Sequence, residues 1–477
     1  MKIHHSIKYV VAVLVIAVTT TSCNDFLDRM PVAQRSPENM FNSEASANAA
    51  VSGMYRSMMN SFSFGQSILM IPEYSANHLS NVGTLPEFEN FATHGIISSG
   101  STPTQPLPPS NNWLANMWQA SYATINSANS IIAGVSQMDA STISEAKKNQ
   151  FIGEAQFIRA LHYFFLVRAF GNVPMEIEPT SEENDAPVKQ GNQEELYALI
   201  IQDLTGAIDL LPISAGDGLA EKGRASQWAA KALLAKVQLY NATLFTNDFT
   251  ESVRLAEDVI TNGPFSLVSN FINIWQSENT TESIFELQFE EQAVNPWANE
   301  IGDNDGNRHF SRGNIIYNLY DSLDNRRAAT VKAGTREGFT NRWYIAKYPN
   351  LTPATQNFTL IRLAELYLIH AEARARVDNA VSNASYQSLA MVQERAGVET
   401  PIGSFANLNE YITAIQEEKE KELMFEGETW FDFCRTGLAL TKYSTLTDER
   451  FFIYPIPAQQ FQLDGTLVQN PGYEAGN

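Results

Sequence analysis

A chain of 477 residues, 44% hydrophobic and 11% aromatic, carries enough apolar mass for a large core, as one big domain or a few smaller ones. Its net charge of −21 and pI near 4.8 argue against DNA or RNA as partners, because such binding depends on Lys and Arg neutralising phosphates. Neutral ligands such as sugars or peptides remain compatible with it.

Residues 1–22 read as an export signal, with Lys2 and Lys8 ahead of the apolar run Tyr9 to Val18. A bilayer needs about 20 apolar residues to be spanned as a helix, so this run is too short for a stable anchor. Small polar residues, Thr20 to Ser22, lead directly into Cys23, a pattern similar to a bacterial lipobox. In that reading Cys23 is the first residue of the mature chain, 23–477, and carries lipid on its sulfur, a membrane attachment without a spanning helix. The alternative is a plain thiol beside a cleavage site. With Cys23 lipidated, Cys434 stands alone and no intramolecular disulfide can form.

Ser43 to Met59 has apolar residues at near-helical spacing and predicts an amphipathic helix. Periodicity is lost over 60–110, which ends in the proline-rich STPTQPLPPS. From Asn111 helical signals dominate. Trp113, Met117, Ala120 and Ile125 begin one stripe; Thr142 with Glu145 has capping-box spacing before a helix running to Gly171; Asn192 with Glu195 caps the next, which Pro212 closes. Ser226 opens AAKALLAKVQLYNATLF, and FTESVRLAEDVITNG returns antiparallel to Gly263, a position suited to a C-cap. FTLIRLAELYLIHAEARARV and SYQSLAMVQERAGV repeat the pattern. Alanine-rich helix pairs of this length are the mark of stacked helical hairpins such as tetratricopeptide units. The predicted class is mainly α, a tetratricopeptide-like scaffold carrying an irregular, loop-rich ligand-binding subdomain. Residues 264–357 form its second irregular stretch, with SIFELQFE alternating as a strand and NPWANEIGDNDGNRHFSRGN as loop.

Signatures of catalysis are missing: there is no GxSxG, Walker loop, HExxH or CxxC pair, and the histidines are dispersed, His162 and His370 on apolar helices where a core or boundary role is expected. Asp303, Asp305 and Asn307 begin like a calcium loop, but Arg308 and Asn314 stand where glycine and glutamate are required, so a solvated turn is expected and no metal or cofactor is predicted. Glu417, Glu418, Glu420, Glu422 and Glu426 interleave with Lys419 and Lys421 at helical spacing, which predicts a solvated face of ion pairs. Aromatic rings stack on sugar faces while amides pair with hydroxyls. On chemistry and loop placement, Tyr74, Asn77, His78, Trp297, Asn299, Trp343 and Tyr344 are the candidate ligand contacts, with a packing role as the alternative for the aromatics. Trp113, Trp118, Trp228 and Trp430 lie on helices and are expected in the core.

Several segments taken together resemble the SusD/RagB family of surface nutrient-binding lipoproteins of Bacteroidetes. They are CNDFLD at Cys23, GEAQFIRALHYFFLVRAFGNVPM (153–175), GRASQWAAKALLAKVQLY (223–240), IRLAELYLIHAEARAR (361–376), EEKEKELMFEGETWFDFCRTG (417–437) and FIYPIPAQQF with QNPGY near the end. The resemblance implies a single domain of helix pairs supporting a ligand-binding half, and an outer-membrane location facing the exterior. It also implies a partner, a SusC-like TonB-dependent transporter capped as by a lid, with a non-catalytic role. Arg159, Arg168, Glu372, Trp430 and Arg435 match as scaffold residues. Oligosaccharide is the expected ligand, with oligopeptide in the same transport role as the alternative; the family motifs do not fix ligand contacts, so none is carried over. A glycan-degrading enzyme and a pure assembly scaffold are the competing readings.

Overall fold

The computed structural model describes residues 40–81, 86–96, 103, 105–181, 187–214, 222–301, 309–336, 339–348 and 352–474. Cys23 and the export signal lie outside them, as do Asp303, Asp305, Asn307 and Arg308, where a solvated turn is expected. The backbone is mainly helical: α1 Glu44–Met58, α2 Ser67–Ser75, α3 Asn112–Ser136, α4 Glu145–Phe170, α5 Gln193–Leu210, α6 Gln227–Asn241, α7 Thr250–Asn262, α8 Gly313–Leu319, α9 Leu363–Asp378, α10 Asn383–Ala396, α11 Leu408–Glu422 and α12 Thr429–Arg435.

Local chemistry sets the helix ends. Ser43 caps α1 in a box with Ser46, and Asn192 caps α5 in a box with Glu195. The cap of α4 is Ser144, which accepts from the Lys147 amide; Thr142, expected to cap it, instead lies two residues upstream and accepts the Glu44 amide at its carbonyl. Gly171 ends α4 with φ 70, a conformation that side chains resist. Gly263 ends α7 in extended backbone, so there the stop comes from the chain turning away and not from a left-handed cap.

Neighbouring helices stack in sequence, α3 on α4, α4 on α5, α5 on α6, α6 on α7, α7 on α9, and α9 on both α10 and α11. This is the helix-pair scaffold expected from the alanine spacing. Ala229, Ala232 and Ala235 on α6 are buried, and Ser252 on α7 donates to the Ala235 carbonyl at 2.8 Å, a contact only small side chains permit. Helix α4 is buried almost all round and forms the central post. Among the described residues no helix is long and apolar enough to cross a membrane.

The two irregular stretches fold against each other. Strand β1 (Leu79–Asn81) pairs antiparallel with β3 (His309–Ser311), with Ser80 opposite Phe310. Strand β2 (Ser283–Leu287), wholly buried, pairs with β6 (Phe358–Arg362), and β4 (Val331–Arg336) with β5 (Phe339–Ile345) forms a hairpin. Region 60–110 is less irregular than its sequence suggests. Helix α2 lies inside it with all nine residues buried, and so shows no polar face to give a helical period.

The glutamates of 417–426 overturn the solvated-face expectation. Glu418, Lys419, Glu420, Glu422 and Glu426 are all buried. Arg362 at the end of β6 binds Glu426 through two nitrogens at 2.8 Å each, Glu282 at 3.0 Å and Glu422 at 2.5 Å. Arg326 pairs with Asp324, Glu418 and Glu422, Arg395 with Glu282 and Glu422, and Lys347 with Glu426. Burial opposes the charge on Glu422, but the surrounding guanidiniums of Arg395, Arg362 and Arg326 prevail and hold its carboxyl far below the usual range. A second cluster joins Arg435 to Glu372 and Asp432, with Lys419 beside them. These buried pairs bolt β6, the hairpin and α12 onto α9 to α11.

Candidate functional site

The hairpin β4–β5 decides what the loop aromatics can do. Successive strand residues face opposite sides. Tyr344 therefore points inward, 3% exposed and lying against Gly334, while its neighbour Trp343 points outward and is half-buried. The Trp343 ring lies on the first turn of α8. A Cβ on Gly313 would stand 1.9 Å from the Trp343 Cγ, so only glycine leaves room for the indole. Trp343 Nε1–H donates to Asn314 Oδ1 at 2.8 Å in an exposed contact. Behind it, Tyr317 stands 5.0 Å away at 44°, and the Arg327 guanidinium covers the Tyr317 ring at 3.6 Å while donating to the Tyr317 carbonyl at 3.1 Å. Trp343, Tyr317 and Arg327 form successive layers beside exposed Asn314 and Ile315, and the half-buried indole keeps part of its surface in solvent.

A second run of rings starts inside and ends at the surface. Tyr74 stacks on Phe88 at 4.9 Å, Phe88 meets Trp113 at 4.7 Å, and Trp113 meets Phe62, 38% exposed. Trp113, expected in the core, is thus half-buried, whereas Trp118, Trp228 and Trp430 are core residues as expected. Tyr74 O–H meets His309 Nδ1 at 2.6 Å. Burial lowers His309 to about 4, so the ring is neutral near pH 7; with Nε2 facing Glu300 at 3.7 Å, Nδ1 accepts the Tyr74 hydrogen.

Of the predicted contacts, Tyr74, His78, Trp297 and Tyr344 are buried, between 0% and 3% exposed, and pack within the fold. EYSANH is the end of buried helix α2 and the turn after it, not an open loop. NPWANE forms the short helix Pro296–Ile301, where Trp297 is 0% exposed and its amide donates to the Gly65 carbonyl at 3.0 Å. His78 sits between Glu73 at 2.6 Å and Glu420 at 3.4 Å. Asn77, left-handed at φ 60, is half-buried; Asn299 is exposed. Trp343, Asn77 and Asn299 thus stay within reach of solvent, and of these only Trp343 belongs to an aromatic layer. Asn314, Tyr317 and Arg327 escaped the sequence reading. Their only signal was the i, i+3 spacing of Asn314 and Tyr317 in a helix of seven residues, too short to show a period.

The surface offers a ring face, an amide and a guanidinium, groups that bind and orient. The one thiol among the described residues, Cys434, is pushed well up by burial, which disfavours the thiolate. No cluster of three potential metal ligands occurs among the described residues.

Two family models match the chain. The first, described as "Starch-binding associating with outer membrane", covers residues 25–239, and the second, described as "SusD family", covers residues 311–447. The chain is 26% identical to SusD-like protein P2 of Formosa agariphila, over 98% of its own length and 100% of that protein's. It is 30% identical to a SusD-like protein of Bacteroides ovatus, over 58% of its own length and 49% of that protein's. Among solved structures it superposes on a SusD homolog from Bacteroides thetaiotaomicron with a TM-score of 0.77 at 20% identity, covering 93% of this chain and 99% of the other. A structure described as a laminarin binding SusD-like protein gives 0.75 at 24%, covering 91% and 100%, and surface glycan-binding protein A from Bacteroides fluxus gives 0.73 at 22%, covering 90% and 100%.

Proposed function

Because the chain belongs to the SusD family, we propose that it is a cell-surface binding protein that captures oligosaccharides and passes them, unaltered, to a SusC-like TonB-dependent transporter. Supporting a glycan ligand are the neighbours described as a laminarin binding SusD-like protein and as a surface glycan-binding protein. The observation that carries the reading is the half-exposed Trp343, propped by Tyr317 and Arg327 and held in place by the Asn314 amide. A sugar ring laid on that indole would bury its apolar face and keep its hydroxyls near Asn314, with Asn77 and Asn299 as the further proposed contacts. The layer rests on a hairpin and a helix tied to the scaffold, so little ordering accompanies binding.

Calorimetry of the lipid-free protein against a panel of polysaccharides and oligopeptides tests this. At least one glycan should bind without release of product, and Trp343→Ala should weaken it by about tenfold or more while the variant still unfolds in one cooperative transition with an unchanged far-ultraviolet circular dichroism spectrum. Binding confined to peptides, or equal glycan affinity in the variant, would remove the reading.

Attachment to the outer membrane through lipid on Cys23 completes the proposal. Mass spectrometry of the amino-terminal peptide from membrane fractions is expected to show a diacylglyceryl and amide-linked acyl mass on that residue. A Cys23 peptide of unmodified mass, with the protein in the medium, would refute the anchor.

A further inference from the structure

The Trp343 layer ends on a cation without a counterion. Arg327 is half-buried, its Nε donates to the Tyr317 carbonyl at 3.1 Å, and its guanidinium lies 3.6 Å from the Tyr317 ring. Neither Nη nitrogen has a hydrogen bond, and no carboxylate pairs with the group, among the described residues. Its neighbour in the chain, Arg326, shows the contrast, tied to Asp324, Glu418 and Glu422. In a chain with 53 Asp and Glu against 32 Lys and Arg, carboxylates are in excess. A half-buried guanidinium left without one has lost hydration and gained no partner, and an anion brought by the ligand would complete it.

The surroundings of that guanidinium are basic as well. Residues 312–348, which carry α8, Arg327 and the hairpin, hold seven Lys or Arg and three Asp or Glu. Of the acids, Asp324 is spent on Arg326, Asp321 accepts from the Leu323 amide, and Glu337 lies outside the described residues. Arg326 and Lys347 are spent on buried carboxylates of the scaffold, while Lys332 and Arg342 stand exposed on the hairpin. The chain's net charge of −21 repels anions at long range, but at physiological salt charges are screened beyond about 8 Å, so the near guanidinium governs. Geometry narrows the anion. With Nε held by a carbonyl, Arg327 keeps its Nη1–Nη2 edge, a planar fork that matches two oxygens of a carboxylate or a sulfate ester. From the Trp343 ring the Tyr317 ring is 5.0 Å away and the guanidinium a further 3.6 Å, a path within the span of a disaccharide.

We infer that the ligand is an acidic glycan, whose uronate carboxylate or sulfate ester lies on the Nη edge of Arg327 while a neighbouring ring stacks on Trp343. The inference rests on the reading of Trp343 as a glycan platform and names the class of glycan. Tyr317 spaces the two contacts. Its ring and its carbonyl together fix the guanidinium, so little side-chain freedom is lost when the anion arrives.

Calorimetry of the lipid-free protein tests it with polygalacturonate and alginate, each against its carboxyl-reduced form, with a carrageenan against its desulfated form, and with laminarin as a neutral glycan. At least one anionic polymer should bind about tenfold tighter than its neutralised form, and added salt should weaken only that binding. The polymer pair that shows the difference separates carboxylate from sulfate. Arg327→Gln should bring the two affinities together, whereas Arg327→Lys, which keeps the charge, should retain most of the gap. That ratio is the readout, because loss of support for Tyr317 would weaken neutral and anionic forms alike. A wild type that binds neutral forms as tightly as anionic ones, or a ratio unchanged in Arg327→Gln, would overturn the inference and leave the glycan reading intact. With Arg327→Gln unfolded, the wild-type ratio and its salt dependence decide instead. Absence of binding to every glycan, neutral or charged, would remove the platform reading and this inference with it.

Discussion

Replacing Arg362 by alanine is expected to destabilise the fold by about 3 to 5 kcal/mol, the usual cost of stripping one partner from a buried ion pair. Arg362 is 1% exposed, and its guanidinium satisfies Glu426, Glu282 and Glu422 together with the Glu422 carbonyl. Alanine would leave three buried carboxylates short of a cation in a site that water reaches poorly. Methionine should do no better, because it restores volume and not charge. Arg254→Ala is the control. Its pair with Glu251 lies on the surface, 60% and 42% exposed, and its loss should cost no more than about 0.5 kcal/mol. Urea unfolding of the three proteins decides the matter; an Arg362→Ala midpoint as close to wild type as that of Arg254→Ala would contradict the account.

The second large effect concerns pH. Burial opposes a proton on His78, yet the charge of Glu73 and the hydrogen bonds to Glu420 and Glu73 outweigh it and lift the imidazole from 6.5 to about 9. A group raised on folding stabilises fully below its unfolded value, and the contribution disappears as pH climbs through the folded value. Between those limits His78 should lose on the order of 3 kcal/mol. Other groups titrate too. Lys347, lowered by burial to about 8, makes folding more favourable as pH rises above that value, opposing His78. His162, buried on α4 and lowered to about 3, acts only on the acid side, where its stabilising neutrality is lost as pH falls from 6.5. The clean measure is therefore the difference in stability between wild type and His78→Asn, followed by urea unfolding from about pH 6 to about pH 10. That difference should shrink by most of the His78 contribution, and a constant difference would show that the imidazole is neutral in the fold. Glu73 lies on α2 and Glu420 on α11, so the charged ring joins the ligand-bearing half to the scaffold.

The helix pairs were legible in the chain because their signals are local. Asn192 and Glu195 close a capping box within one turn, Ser226 caps α6, and alanines at helical spacing mark where α6 and α7 approach. Helix α2 was hidden for the opposite reason, since a helix buried on every side carries no amphipathic period. The candidate site was legible only in part. Trp343 and Tyr344 were both singled out by residue type, but which of them keeps exposed surface depends on which way one strand faces, and Trp297 and Tyr74 have the composition of ligand contacts while packing in the core.

Composition and near-neighbour spacing thus determined the class of fold, the order of the scaffold helices and the absence of familiar catalytic motifs, since each of these is set by interactions within a few residues. The tertiary structure alone decided which charges are buried and which aromatics meet water. Glu422 looks like a surface residue in KEKELMFEGE because its neighbours in sequence are charged, yet its partners Arg326, Arg362 and Arg395 come from three other elements. Burial is the sum of contacts made by segments far apart in the chain, and no local pattern contains it.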